Sequence, residues 1–212
     1  MLDPRTLILL IPVILFALSV HELSHGWMAY RLGDPTARNA GRLTLNPIAH
    51  LDPIGTIMLF LVHFGWAKPV PVDPRYFTNP KRDMLWVAIA GPASNMVLAL
   101  LSGLVIRYIR LHPEPFMGNL VGESFIAMMF LSLQINLALA IFNLLPVPPL
   151  DGSKVLFGIL PSEYEHIAYN LERYGPGVLF GLVLLGMITG VSIFWAFIGP
   201  FVGFFSSLFA GA

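Results

Sequence analysis

Residues 7–31 read LILLIPVILFALSVHELSHGWMAYR. The run is apolar for long enough to cross a hydrocarbon core of about 30 Å at about 1.5 Å per helical residue. Near its far end it carries His21-Glu22-Leu23-Ser24-His25. On a helix, residues i and i+4 share a face, so both imidazoles can reach one metal ion. Glu22, one step round, is placed to hold and deprotonate a water beside that ion rather than to ligate it. Ionisable groups inside a membrane span are costly and mark function. Two histidines leave a catalytic zinc site one protein ligand short.

Composition sets the surroundings. The chain has 212 residues, 56% of them hydrophobic and only 11% charged, against about a quarter charged in a soluble domain. So little polar surface implies an all-α polytopic membrane protein, a bundle of about five to six transmembrane or re-entrant segments in a single domain over 1–212. Twelve basic and twelve acidic residues balance, which gives no general attraction to nucleic acid. There is no cysteine, so disulfides and thiolate sites are excluded and any metal site must use His, Asp or Glu. Eighteen prolines and nineteen glycines imply broken or re-entrant segments that line a cavity or pack on protein.

Along the chain, residues 6–31, 84–106 and 124–145 read as transmembrane helices, and 176–190 and 192–209 as two further apolar runs. Residues 54–66 are apolar but too short for an ordinary span. Residues 68–74, KPVPVDP, cannot be helical; their alternate prolines make an extended stretch, a possible edge strand. Residues 155–160 form a short apolar piece, followed by a polar connector over 162–174. His50, His112 and His166 fall in connectors and read as solvated. His63 reads as an interior histidine or part of a water path.

The candidate third ligand is Asp151, in Pro148-Pro149-Leu150-Asp151-Gly152. A proline-rich break can present a carboxylate into a bundle interior. An aspartate that opens a helix after prolines serves equally as its N-cap. Topology bears on the choice. If 54–66 spans, Asp151 falls on the opposite side from the histidines. If it re-enters, Asp151 reaches their level, and Arg31, Arg38, Arg42, Lys68, Arg75, Lys81 and Arg82 share one face, as the positive-inside rule favours. The re-entrant reading is adopted, with the metal nearer the cytoplasm of a multi-pass cell-membrane protein.

HELSH in one membrane helix, AGPASN in a later one and NLLPVPPLDG after another together resemble the site-2 protease family of intramembrane zinc metalloproteases. The resemblance covers about residues 6–160, the catalytic core; the additional C-terminal helices, about 175–210, lie outside it. It implies one Zn2+ per chain held by His21, His25 and Asp151, with Glu22 as general base. It also implies that Asn143 handles the substrate backbone and that Asn95 contacts substrate. For Asn95 and Asn136, an interhelical hydrogen bond is the physical alternative. The PDZ and cystathionine-synthase-type modules of larger members have no room here, so a regulatory membrane protein, substrate trimming or the bilayer would restrain the enzyme. The implied substrate is a transmembrane protein, cleaved within or beside its membrane segment. Rival readings are a membrane metallohydrolase acting on a non-peptide or lipidated substrate, and a non-enzymatic metal transporter.

Overall fold

The computed structural model describes residues 4–62, 65–190 and 192–211; His63 lies outside the described residues. The described helices are α1 (Pro4–Arg31), α2 (Thr36–Asn39), α3 (Pro53–Val62), α4 (Pro80–Leu111), α5 (Leu120–Asn143), α6 (Asp151–Ile159), α7 (Glu165–Thr189) and α8 (Ile193–Ala210). Five of them, α1, α4, α5, α7 and α8, are long and apolar enough to cross a membrane. The chain is an all-α polytopic membrane protein.

Local chemistry explains where the helices depart from the sequence reading. The Asn79 side chain accepts from the Arg82 amide and Pro80 takes the first helical position, so α4 starts a turn before the expected residue 84. Asn119 likewise accepts from the Gly122 amide at 2.7 Å and opens α5 ahead of residue 124. The expected connector over 162–174 is wrong for most of its length. From Glu165 it is the polar first half of α7, which runs on through Pro176. Polar composition there does not interrupt the helix.

The two ends of the apolar segment before α4 lie side by side. Leu51 and Ala67 form an isolated antiparallel bridge, and the Lys68 amide donates to His50 O at 2.9 Å. The chain therefore leaves and returns at one level, and the ten residues of α3 rise only about 15 Å. Residues 68–73 form neither helix nor strand: residues before proline are held out of the helical region, and alternate prolines remove the donors a ladder needs. We call this stretch the strap.

Helix α4 is central. It packs on α1, α5, α6 and α8. Ala99 and Ile106 meet Leu133 and Leu137 of α5 and Val202 and Ala210 of α8 in the main core. A second cluster joins Ala29, Val87 and Phe77, backed by Val72 of the strap. Arg110 donates to Ala210 O and Gly211 O at 3.1 and 3.0 Å, which caps the carbonyl end of α8 with positive charge. The two C-terminal helices thus differ: α8 belongs to the core, and α7 is mostly exposed.

Candidate metal centre

Helices α1 and α4 run antiparallel, and the site lies on their shared seam. His21 and His25 occupy one face of α1. Opposite them, Val87, Gly91 and Asn95 repeat every four residues along α4. A Cβ on Gly91 would collide with Nε2 and Cε1 of His25 and Cε1 of His21. Only a glycine leaves room for the two imidazoles there.

Asp151 is the first residue of α6. The N-cap is Leu150, which makes no side-chain cap bond, so the carboxylate is not spent on its own helix. It points instead at the histidines. Its Oδ2 lies 3.1 Å from Nε2 of His21 and 3.1 Å from Nε2 of His25, and the two Nε2 atoms are 3.0 Å apart. All three residues are buried. Gly152 brings α6 against the Leu144 and Leu145 carbonyls, where a Cβ would not fit. The negative side chain also sits at a helix N-terminus, where the macrodipole favours it.

The outer hydrogen bonds fix which imidazole nitrogens carry protons. Nδ1 of His25 lies 2.7 Å from Val87 O, a pure acceptor, so Nδ1 donates. Nδ1 of His21 lies 2.6 Å from Oδ1 of Asn95. That oxygen is oriented by a chain anchored in the backbone. Asn136 Nδ2 donates to Ser132 O at 2.8 Å, which turns Asn136 Oδ1 toward Asn95 Nδ2 at 2.8 Å. Asn95 Nδ2 also donates to Ala17 O at 3.3 Å, and its Oδ1 is left to accept from His21. Both Nε2 atoms then present lone pairs to each other and to a carboxylate oxygen.

With both Nδ1 hydrogens committed elsewhere, the two Nε2 atoms and the Asp151 oxygen converge as a donor set suited to a cation. Their separations are near the edge of about 3.3 Å that tetrahedral zinc with bonds of about 2.0–2.1 Å would impose. His21, His25 and Asp151 form the His/carboxylate group able to hold a metal among the described residues. The donor chemistry fits zinc.

Glu22 is buried beside this group without joining it. Its Oε2 accepts from the Val70 amide of the strap at 2.9 Å; no described residue bonds its Oε1.

The other site candidates fall at different places. Asn95 is fully buried behind His21, with both polar atoms engaged; it has the position of an orienting group. Asn143 ends α5 and donates to Leu139 O at 3.0 Å, partly exposed. His112 and His166 are exposed, His166 on α7 rather than in a connector. His50 is not solvated as expected. It is buried, with Nε2 donating to Thr44 O at 2.8 Å and Nδ1 facing Arg42 at 3.3 Å. Sequence reasoning missed the Val87 carbonyl and the Val70 amide, and it read Gly91 only as one of several small residues that let helices approach, not as the one facing the imidazoles. The available signal was the spacing of Val87, Gly91 and Asn95, which matches that of His21 and His25.

Comparison with known proteins agrees with this chemistry. A model of peptidase family M50 matches residues 108–185, the part holding Asn143 and Asp151. YwhC of Bacillus subtilis is 39% identical over 188 residues, 88% of this chain and 84% of that protein. Rip2 of Mycobacterium tuberculosis is 31% identical over 196 residues, 86% of this chain and 70% of that protein. Both carry provisional names as zinc metalloproteases. The zinc metalloprotease MJ0392 of Methanocaldococcus jannaschii is 24% identical over 166 residues, 78% of this chain and 38% of that protein. No solved structure matches. With a buried three-donor zinc site on membrane-length helices and relatives of this extent, the chain belongs to peptidase family M50, the site-2 protease family, and is a multi-pass zinc metalloprotease.

Proposed function

We propose that this metalloprotease hydrolyses peptide bonds within or next to the transmembrane segments of other membrane proteins, either in regulated signalling or in clearing membrane-bound remnants. One observation carries the reading. His21, Glu22 and His25 are buried in the second half of a helix long and apolar enough to span a bilayer. A bond cleaved there must itself reach membrane depth.

His21, His25 and Asp151 would hold the zinc; when bound, it polarises a carbonyl and acidifies water. Glu22, fixed through Oε2 and uncommitted at Oε1, takes the proton from the attacking water and returns it to the leaving amine. Asn143, partly exposed at the end of α5, is a candidate contact for the substrate backbone. A helical substrate must unwind before its carbonyl can be attacked. The strap's free carbonyls offer an extended partner for it, while the Lys68, Val70 and Asp73 amides are already committed within the chain. The basic residues clustered at the Arg31 end support a site nearer the cytoplasm, and a separate membrane protein is the natural restraint on access.

The test is cleavage of single-span model substrates by purified protein, wild type beside Glu22→Gln, with zinc measured in both. The expected result is cleavage by wild type alone, at bonds that mass spectrometry maps to the apolar segment, with about one zinc in each protein. Zinc in both without cleavage of any membrane peptide would overturn the reading in favour of a lipidated or non-peptide substrate. Metal flux that survives Glu22→Gln would favour transport.

A further inference from the structure

Arg42 is a buried cation, only 7% exposed, and its Nε has no hydrogen-bond partner. No carboxylate pairs with it among the described residues. Burying a guanidinium without a counter-ion is costly. Its remaining donors go to neutral acceptors: Nη2 to Lys68 O at 2.7 Å, Nη1 to Pro69 O at 3.3 Å, and Nη2 to Nδ1 of His50 at 3.3 Å. His50 can only accept there, because its Nε2 donates to Thr44 O. The guanidinium therefore grips two successive strap carbonyls, and the next amide, that of Val70, is the one that donates to Glu22 Oε2.

The strap is pinned beyond Val70 as well. The fully buried Asp34 accepts the Asp73 amide at 2.8 Å. Between the pins, Val70 lies against Gly26, where a Cβ would press into Val70 and Leu43. Gly26 is one turn from Glu22 on α1, so the strap rests directly on the helix that carries the base.

We propose that Arg42 is a positioning residue for the proteolytic reaction: through the backbone of residues 68–70 it holds the Val70 amide on Glu22 and so fixes the orientation of the general base. The unpaired burial of Arg42 is then the cost of a rigid, charge-assisted grip on a proline-rich stretch that has no ladder of its own. The inference rests on the role of Glu22 as base. It adds the group that aims it.

Two variants separate aiming from folding. Arg42→Met keeps the length and removes the donors. Val70→Pro removes the amide hydrogen from a proline-rich stretch and trims the side chain against Gly26. Val70→Ala, which trims the side chain and keeps the amide, is therefore its control and should stay near the wild-type rate. Arg42→Met and Val70→Pro should each bind about one zinc yet lose kcat on the order of 10- to 100-fold, as loss of an outer-shell contact typically does, with KM changed less than about threefold. Because both act through one bond, the double variant should be no slower than the slower single variant. Arg42→Lys should recover part of the rate. Unchanged kcat in Val70→Pro, or multiplying losses in the double variant, would overturn the proposal.

Hydrogen exchange gives a readout independent of cleavage. In residues 68–73 only Lys68, Val70, Val72 and Asp73 carry amide hydrogens. Protection at Val70 should fall at least tenfold in Glu22→Ala and in Arg42→Met alike. Protection retained in Arg42→Met would overturn the inference even if Arg42→Met were too unstable for kinetics. If wild type cleaves no membrane peptide, the protease reading fails, and the exchange result still decides whether Arg42 holds the strap on Glu22.

Discussion

Nδ1 of His21 and Oδ1 of Asn95 lie 2.6 Å apart across the α1–α4 seam. The direction of this bond is imposed from α5, where Asn136 is anchored on the Ser132 carbonyl. Asn95→Ala should therefore weaken zinc binding about 10- to 100-fold, read by competition with a chelator. Asn95→Asp keeps the acceptor and should retain zinc far better. Asn136→Leu leaves Asn95 without its anchor and should fall between the two. An Asn95→Ala protein that binds zinc as wild type does would remove the orienting role.

Gly91→Ala sets two effects against each other. Alanine favours the helix by about 1 kcal/mol, and overpacking costs about 1–3 kcal/mol. The added carbon would strike both imidazoles, so strain falls on the ligands rather than on the fold. The variant should remain helical by circular dichroism and melt near wild type, yet carry well under one zinc per chain. Full zinc occupancy would show that α1 and α4 can part there without loss of the site.

Glu22 and Asp151 are both buried acids near the histidines, and substitution should separate their roles. Glu22→Gln keeps all three donor atoms and the acceptor for Val70. It should retain zinc while losing about 10²- to 10⁴-fold in rate, the range for a general base. Asp151→Ala removes a donor and should lose metal and rate together. Metal content beside kcat on one preparation checks both. Loss of zinc in Glu22→Gln would make Glu22 a ligand rather than a base.

How far the sequence reaches is visible in these residues. The spacing of His21 and His25 is a property of one helix, so it can be read along the chain. Asp151 becomes legible once residues 54–66 are taken to re-enter, because that choice sets the level at which α5 ends. The bridge between Leu51 and Ala67 sets the two ends of that segment side by side. The facing row of Val87, Gly91 and Asn95 depends on the register between two helices, which no single-helix pattern encodes. Arg42 and His50 were further out of reach. A polar stretch rich in turns reads as solvated, and only folding the strap onto α1 buries them. The polar half of α7 misled for the converse reason, since a polar stretch does not by itself end a helix.

The crowding of three acceptors predicts a reversal in stability when metal is removed. In zinc, wild type should gain about 2.7 kcal/mol at a free concentration one hundred times Kd, and Asp151→Asn, a poorer donor, should gain much less. Under a chelator the order should invert. Without a cation, the Asp151 carboxylate faces two Nε2 lone pairs at 3.1 Å and must draw a proton from solvent to separate them. An amide at this position carries its own hydrogens and no buried charge, so it can donate to a histidine directly. Asp151→Asn should therefore melt above wild type in chelator and below it in zinc. Thermal melting in detergent under the four conditions checks it. Melting of Asp151→Asn below wild type in both zinc and chelator would mean that the three donor atoms relax apart when the metal leaves.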